Sequence, residues 1–228
     1  MKRLFSVIAA WSLLTASAWA AINFASGAHN ATIGTNTITA TYSPTAGSVI
    51  TLWLVNAATA SGMACADNNS HALTAGPTIT NVLILTGFYG TTIAGATSYT
   101  CTWTTSGAAS ITLEEYSGVS SVNASLSGNT NSGTSGTATI TATTQDNNDW
   151  FVCGLMASNQ TLAVTVGNSR QPVTTGGLRQ VLADNTVATA GSLTCTATLT
   201  SAAWAAAVIE LRVAAGGTIR RRAEVIQR

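Results

Sequence analysis

The chain has 228 residues, of which 46% are hydrophobic and only 7% are Asp, Glu, Lys or Arg, for a formal net charge of +1. This composition excludes a disordered chain, which combines low hydrophobicity with high net charge. With no lysine after Lys2, it also excludes the basic footprint that nucleic acid needs.

In chain order, the first feature is Lys2-Arg3 followed by an apolar stretch from Leu4 to Leu14 and then Ala18-Trp19-Ala20, the small-x-small pattern that a signal peptidase cuts after. The expectation is a cleaved signal over residues 1–20 and a protein working outside the cytoplasm, secreted or at the cell surface. The apolar run is too short to span a bilayer, and the next most apolar one, Ala202 to Val213, is interrupted by Glu210 and Arg212. No transmembrane segment is therefore expected in the mature chain.

From residue 21 onward, period-two alternation dominates, as a half-buried strand requires. Threonine occupies every second position at Thr37, Thr39 and Thr41, at Thr100, Thr102 and Thr104, from Thr137 to Thr143, and from Thr194 to Thr200. Tyr99, Cys101 and Trp103 lie between one set, and Leu193, Cys195, Ala197 and Leu199 between another. One face of each strand is apolar and the other carries hydroxyls. Further strands are predicted over Ser48 to Ala57, Val82 to Phe88, Ala109 to Tyr116, Asp149 to Ala157, Leu162 to Val166, Leu178 to Leu182 and Ala203 to Val213. The alanine run before Ile209 is the one stretch with a competing helical reading. Turn clusters separate the strands at Ser43 to Gly47, Asp67 to Ser70, Ser127 to Gly136 and Asp146 to Asp149.

The predicted class is all-β: an antiparallel β-sandwich of jelly-roll or Greek-key type over residues 21–214. Residues 215–228, with four arginines against one glutamate, are expected to be a disordered basic tail. An internal echo relates the halves. Trp53 parallels Trp150, Cys101 parallels Cys195 and Glu115 parallels Glu210, at separations of 97, 94 and 95 residues. Two arrangements fit, two tandem small sandwiches or one sandwich with interleaved halves, and the second is preferred because each half alone has a modest core. Ser125 to Gly136 would then be the long crossover.

Four cysteines, Cys65, Cys101, Cys153 and Cys195, follow the signal, an even number that an exported chain is expected to oxidise. Three connectivities exist; sequence proximity favours Cys65 with Cys101 and Cys153 with Cys195. The absence of C-x-x-C argues against zinc or redox chemistry.

The segment Ala96 to Thr102 leading into Ile111-Thr112-Leu113-Glu114-Glu115-Tyr116-Ser117-Gly118-Val119, with a closing strand from Trp204 to Leu211, resembles the extracellular β-sandwich modules, jelly-roll or lectin-like, of secreted bacterial and phage surface proteins. The likeness spans Ile22 to Val213, with Glu-Tyr-Ser-Gly-Val its distinctive part. It implies a non-catalytic module that binds a glycan or cell-surface partner or builds surface structure.

Several constellations invite chemistry. Glu114 and Glu115 are adjacent, so in a strand they point to opposite faces and cannot flank one glycosidic bond. Glu115 with Glu210 is the better pair for a polysaccharide hydrolase, the rival function, although carboxylates on the apolar side of strands more often tie down neighbouring loops. No Gly-x-Ser-x-Gly elbow accompanies the only two histidines, His29 and His71. His71, with Cys65, Asp67, Asn68 and Asn69, reads as a polar loop beside a disulfide. Asp146, Asn148 and Asp149 offer hard oxygen ligands, which makes a structural calcium ion the one cofactor the sequence leaves room for. Trp53, Trp103, Trp150 and Trp204 are candidate sugar platforms that a core position would disqualify; Trp103, Tyr89 and Tyr116 are the first ligand-binding candidates. The threonine rows would suit a polysaccharide or ordered water, but their irregular spacing argues against ice. A third class is a filament or coat subunit, in which a long unpaired edge strand lets copies associate as a homo-oligomer.

Overall fold

A computed structural model describes residues 21–57, 59–175 and 177–213. The expected signal peptide and basic tail lie outside these residues. The described chain is all β: β1 (Asn23–Thr41), β2 (Val49–Ala57), β3 (Ala64–Asp67), β4 (Thr74–Thr80), β5 (Leu83–Thr91), β6 (Ser98–Ser117), β7 (Ser121–Asn123), β8 (Thr130–Thr143), β9 (Trp150–Ser158), β10 (Ala163–Val166), β11 (Asn168–Thr175), β12 (Leu178–Thr186) and β13 (Ser192–Arg212). No helix occurs among the described residues; the alanine run before Ile209 lies within β13.

The strands form two antiparallel sheets. One has the order β1-β6-β2-β5-β4 with β3 also on β6, and the other β10-β13-β9-β12-β11 with β7 and β8 also on β13. The halves therefore do not interleave: β1 to β6 build one sheet and β7 to β13 the other. They nevertheless follow one plan. In each, a long last strand pairs along its length with the long first strand (β6 with β1, β13 with β8), and its C-terminal part pairs with the second strand (β2 or β9).

The pairing of the long strands shifts register midway, between Thr32 and Thr37 in the first half and between Thr198 and Ala202 in the second, and each half has its own core. In the first half, Leu52, Leu54, Ile111 and Leu113 face Ile38, Tyr99, Cys101 and Trp103. In the second, Phe151, Leu155, Ala206 and Val208 face Ile140, Leu193, Cys195 and Ala197. The other faces of β2, β5, β6, β9, β12 and β13 form a third core between the sheets, including Trp53, Val55, Leu85, Val152, Met156, Leu182 and Ile209. Strands buried on both faces need apolar residues at every position, which accounts for the unbroken runs Leu52-Trp53-Leu54-Val55 and Phe151 to Ala157. Contacts between halves are reciprocal: β1 abuts β11 as β8 abuts β4, and β6 meets β12 as β13 meets β5. The sheets thus pack around an approximate twofold axis.

Register corrects one part of the echo. Val49 pairs with Thr91 and Tyr116, and Trp150 pairs with Thr186 and Leu211. The counterpart of Trp150 is therefore Val49, and that of Trp53 is Gly154. These last two touch: a Cβ on Gly154 would lie 2.5 Å from Trp53 Cε3. The indole fills a slot left by two glycines, since a Cβ on Gly87 would lie 2.9 Å from Trp53 Cζ3.

The turn cluster Ser127 to Gly136 is also corrected in part. Its second half is the start of β8, with Thr130 to Ser135 paired to Ala207 through Ala202. Serine and glycine there form an exposed edge rather than a loop, and Gly133 lets the Trp204 ring lie close to the backbone, its Cζ2 3.1 Å from where a Cβ would be. Both disulfides, Cys65–Cys101 and Cys153–Cys195, join the pairs favoured by proximity.

The threonine rows become cross-strand ladders on the outer faces. Thr39 Oγ1 lies 2.8 Å from Thr100 Oγ1, Thr139 Oγ1 3.0 Å from Thr196 Oγ1, and Thr141 Oγ1 2.7 Å from Thr194 Oγ1.

Candidate functional site

The echo glutamates serve as loop anchors. Glu115 is 3% exposed; it accepts from the Tyr42 hydroxyl at 2.6 Å and from Thr45 N–H at 2.9 Å, holding the β1–β2 connection. Burial pushes its carboxyl up, but donors from Tyr42, Ser48 and Thr45 outweigh this and hold it below the ordinary carboxylate value. Glu210, 0% exposed, does the same for the β8–β9 connection by accepting from Gln145 N–H at 3.2 Å, and it also accepts from Asn123 Nδ2 and the Arg212 guanidinium. Neither carboxylate is presented to a glycosidic bond.

Glu114, on the opposite face of β6, joins a buried network between the halves. The Tyr116 hydroxyl sits 2.6 Å from Glu114 Oε2 and 3.1 Å from Asp184 Oδ2. Arg170 Nε donates to Asp184 Oδ2 at 2.9 Å and Asn168 Nδ2 to Asp184 Oδ1 at 2.7 Å. The Arg170 guanidinium also lies 3.9 Å over the Phe24 ring. Burial, with Asp184 adding to it, raises the Glu114 pKa to about 8, while Tyr116 and Arg170 pull the other way. Glu114 Oε1 has no hydrogen-bond partner among the described residues.

The proposed calcium ligands are divided by this packing. Asp149 is 0% exposed and accepts from Asp146 N–H and Val213 N–H, whereas Asp146 and Asn148 are exposed. Burial, and next the Glu210 carboxylate, raise the Asp149 pKa to about 6. Among the described residues no three His, Cys, Asp or Glu side chains gather as a metal group. In the His71 loop, Asp67 Oδ1 accepts from the backbone N–H groups of Asn69 and His71, and Asn68 Oδ1 from that of Thr97. These side chains hold a turn beside the Cys65–Cys101 bond.

The aromatic candidates separate by exposure. Trp103 is 4% exposed, inside the core of the first half, and Tyr116 is fully buried in the network between halves. Neither offers a ring face to solvent. Tyr89 is half-buried and lines a cleft of about 290 Å³.

A larger cleft, about 450 Å³, is lined by Ile22 of the first half and by Asn148, Trp150, Thr186, Val187 and Val213 of the second. Trp150 is half-buried and packs edge to face on Tyr116 at 5.8 Å, and Tyr116 packs in the same way on Phe24 at 5.8 Å. The network that fixes the Tyr116 hydroxyl thus also steadies the Trp150 ring. Among the described residues no charged side chain lines the cleft, and Asn148 and Thr186 are polar residues of its lining. A wall of this kind, an aromatic and aliphatic surface with a few polar groups, suits a small neutral ligand.

Trp150 was not among the first candidates from sequence. The signal was its position: it opens its strand directly after Asp146-Asn147-Asn148-Asp149, at the rim, whereas Trp53 is in mid-strand. No family model, curated protein or solved structure matches the chain.

Proposed function

We propose that this chain is an exported, non-catalytic carbohydrate-binding module whose recognition site is the Trp150 cleft. The observation that carries the reading is the half-buried Trp150 ring in a cleft whose described lining has no charged side chain and includes the polar Asn148 and Thr186. A pyranose ring is the complementary shape, with an apolar face for the indole and equatorial hydroxyls for an amide and a hydroxyl. Support for the non-catalytic part comes from the carboxylates: Glu114, Glu115, Asp149, Asp184 and Glu210 are all buried and engaged with loops or with one another. Two disulfides agree with an oxidising compartment.

The test is a glycan array probed with the purified protein, followed by titration of the retained neutral glycans while intrinsic tryptophan fluorescence is read. Saturable binding with a fluorescence change is expected, and Trp150→Ala weakens it at least tenfold. If no neutral glycan is retained, or if Trp150→Ala binds like the parent, the reading is wrong.

A further inference from the structure

We infer that the Tyr89 cleft is a second sugar-binding site, the internal-repeat counterpart of the Trp150 cleft, so that one chain holds two neutral-glycan sites. This rests on the carbohydrate reading above and extends it to the first half.

The equivalence follows from register. The Trp150 cleft is built where β9 begins and β12 ends, beside the segment following β13: Trp150 pairs with Thr186 and with Leu211, and Val213 completes the wall. The Tyr89 cleft is built where β2 begins and β5 ends, beside the segment following β6. Val49 pairs with Thr91 and with Tyr116, and the wall is completed by Ser120 and Ser121. Val49 and Thr91 are the register counterparts of Trp150 and Thr186, and both pairs line their clefts. The same corner of each half is therefore open.

The two corners have diverged in which strand supplies the aromatic ring. In the second half it stands at the first position of β9. In the first half that position is Val49, and the ring comes instead from Tyr89 on the neighbouring strand β5. Thr74, Thr91, Ser120 and Ser121 line this cleft with Tyr89, in place of the mostly aliphatic wall around Trp150. Among the described residues no charged side chain lines this cleft either, so its ligand is again neutral. At about 290 Å³ against about 450 Å³, it accepts a shorter stretch of glycan through more hydroxyl contacts and less apolar surface. A glycan bound at both corners of many chains would be cross-linked, and avidity then exceeds the affinity of either site.

The experiment is calorimetric titration of the purified protein with cellohexaose, laminarihexaose and maltohexaose, with tryptophan fluorescence followed in parallel. Two sites per chain are expected, of which only one quenches Trp150. Tyr89→Ala weakens the fluorescence-silent site at least tenfold and leaves the quenching site unchanged; Trp150→Ala does the reverse. Because Tyr89 is half-buried, Ser121→Trp serves as a second variant, filling the cleft from an exposed position without touching the core. One site per chain, with Tyr89→Ala and Ser121→Trp both like the parent, overturns this inference and leaves the Trp150 reading standing. Silence with all three sugars from a protein that the array also finds silent overturns both.

Discussion

Gly154→Ala is the sharpest probe of how the halves fit together. The added Cβ would lie 2.5 Å from Trp53 Cε3, 2.7 Å from Cδ2 and 3.1 Å from Cζ3. The indole cannot retreat, because Gly87 and Ile209 close the slot on its other side: a Cβ on Gly87 would already meet Cζ3 at 2.9 Å and Ile209 Cδ1 at 3.1 Å. Overpacking of a rigid core costs about 1–3 kcal/mol, and immobile neighbours on both sides place this case near the upper end. Against it, replacing glycine where the backbone is extended restrains the unfolded chain and returns about 0.4–1 kcal/mol. The net loss is about 2 kcal/mol, or a fall in Tm of about 4–8 °C for a chain of this size. Calorimetry on the parent, Gly154→Ala, Trp53→Phe and the double variant measures it. Gly191→Ala is the control, because the nearest atom to its Cβ is 3.9 Å away. The smaller ring makes room for the methyl, so the double variant is more stable than the two single losses summed. A Gly154→Ala protein as stable as the parent, or strictly additive losses, would refute the slot.

Two further outcomes follow from the buried groups. The unfolded chain releases the Glu114 proton near 4.5 while the folded one holds it to about 8, so stability from this group is full below about pH 4.5, declines as pH rises through the window and levels off above about pH 8. Glu114→Gln removes that slope, which denaturant unfolding resolves between about pH 6 and 8, beyond the Asp149 transition at about 6; identical slopes in parent and variant would contradict the assignment. Each disulfide closes a loop of similar length, with separations of 36 and 42 residues, so the chain-entropy contribution is about 4 kcal/mol for both. Cys153→Ala/Cys195→Ala is nevertheless expected to lower Tm more than Cys65→Ala/Cys101→Ala, and equal losses would count against the packing difference described below.

The strands most legible in the sequence were those with one wet face or with an unbroken apolar run: the threonine rows, Leu52 to Val55, and Phe151 to Ala157. The strands not read were β3, β4, β7 and β11. They are short or lie at edges, and their composition, as in Thr74-Ala75-Gly76-Pro77, carries turn residues that an edge tolerates because one side of the ladder is unpaired. The division into two sheets was hidden for a different reason. The alternate face of a doubly buried strand is apolar whichever partner covers it, so the runs containing Trp53 and Met156 predict strands without revealing that these two side chains belong to a third core between halves. The Trp53 to Trp150 echo misled because it matched residue type; register matches Trp53 with Gly154, a pairing of unlike residues. The Trp150 cleft was partly legible in the turn before it and otherwise depended on Ile22, 128 positions away, which no local pattern connects.

The two halves share a strand plan but fill it differently, and the disulfides follow the filling. The first core contains Leu52, Leu54, Phe88, Tyr99, Trp103, Ile111 and Leu113. There the Cys65–Cys101 bond joins neighbouring strands that are already hydrogen-bonded in register. The second core is rich in alanine, at Ala138, Ala142, Ala157, Ala183, Ala197 and Ala206. The Cys153–Cys195 bond lies in this core and joins β9 to the N-terminal part of β13, although the two strands pair only through the C-terminal part of β13, and both cysteines are 0% exposed. Cys101 and Cys195 stand at corresponding places in the sequence echo, but their partners do not, since Cys65 is on β3 and Cys153 on β9. Both bonds lie in the core of their half, but in the first the bond joins residues already paired in one ladder, whereas in the second it ties Cys153, whose ladder partners are Ala183 and Val208, to Cys195, which pairs with Ile140.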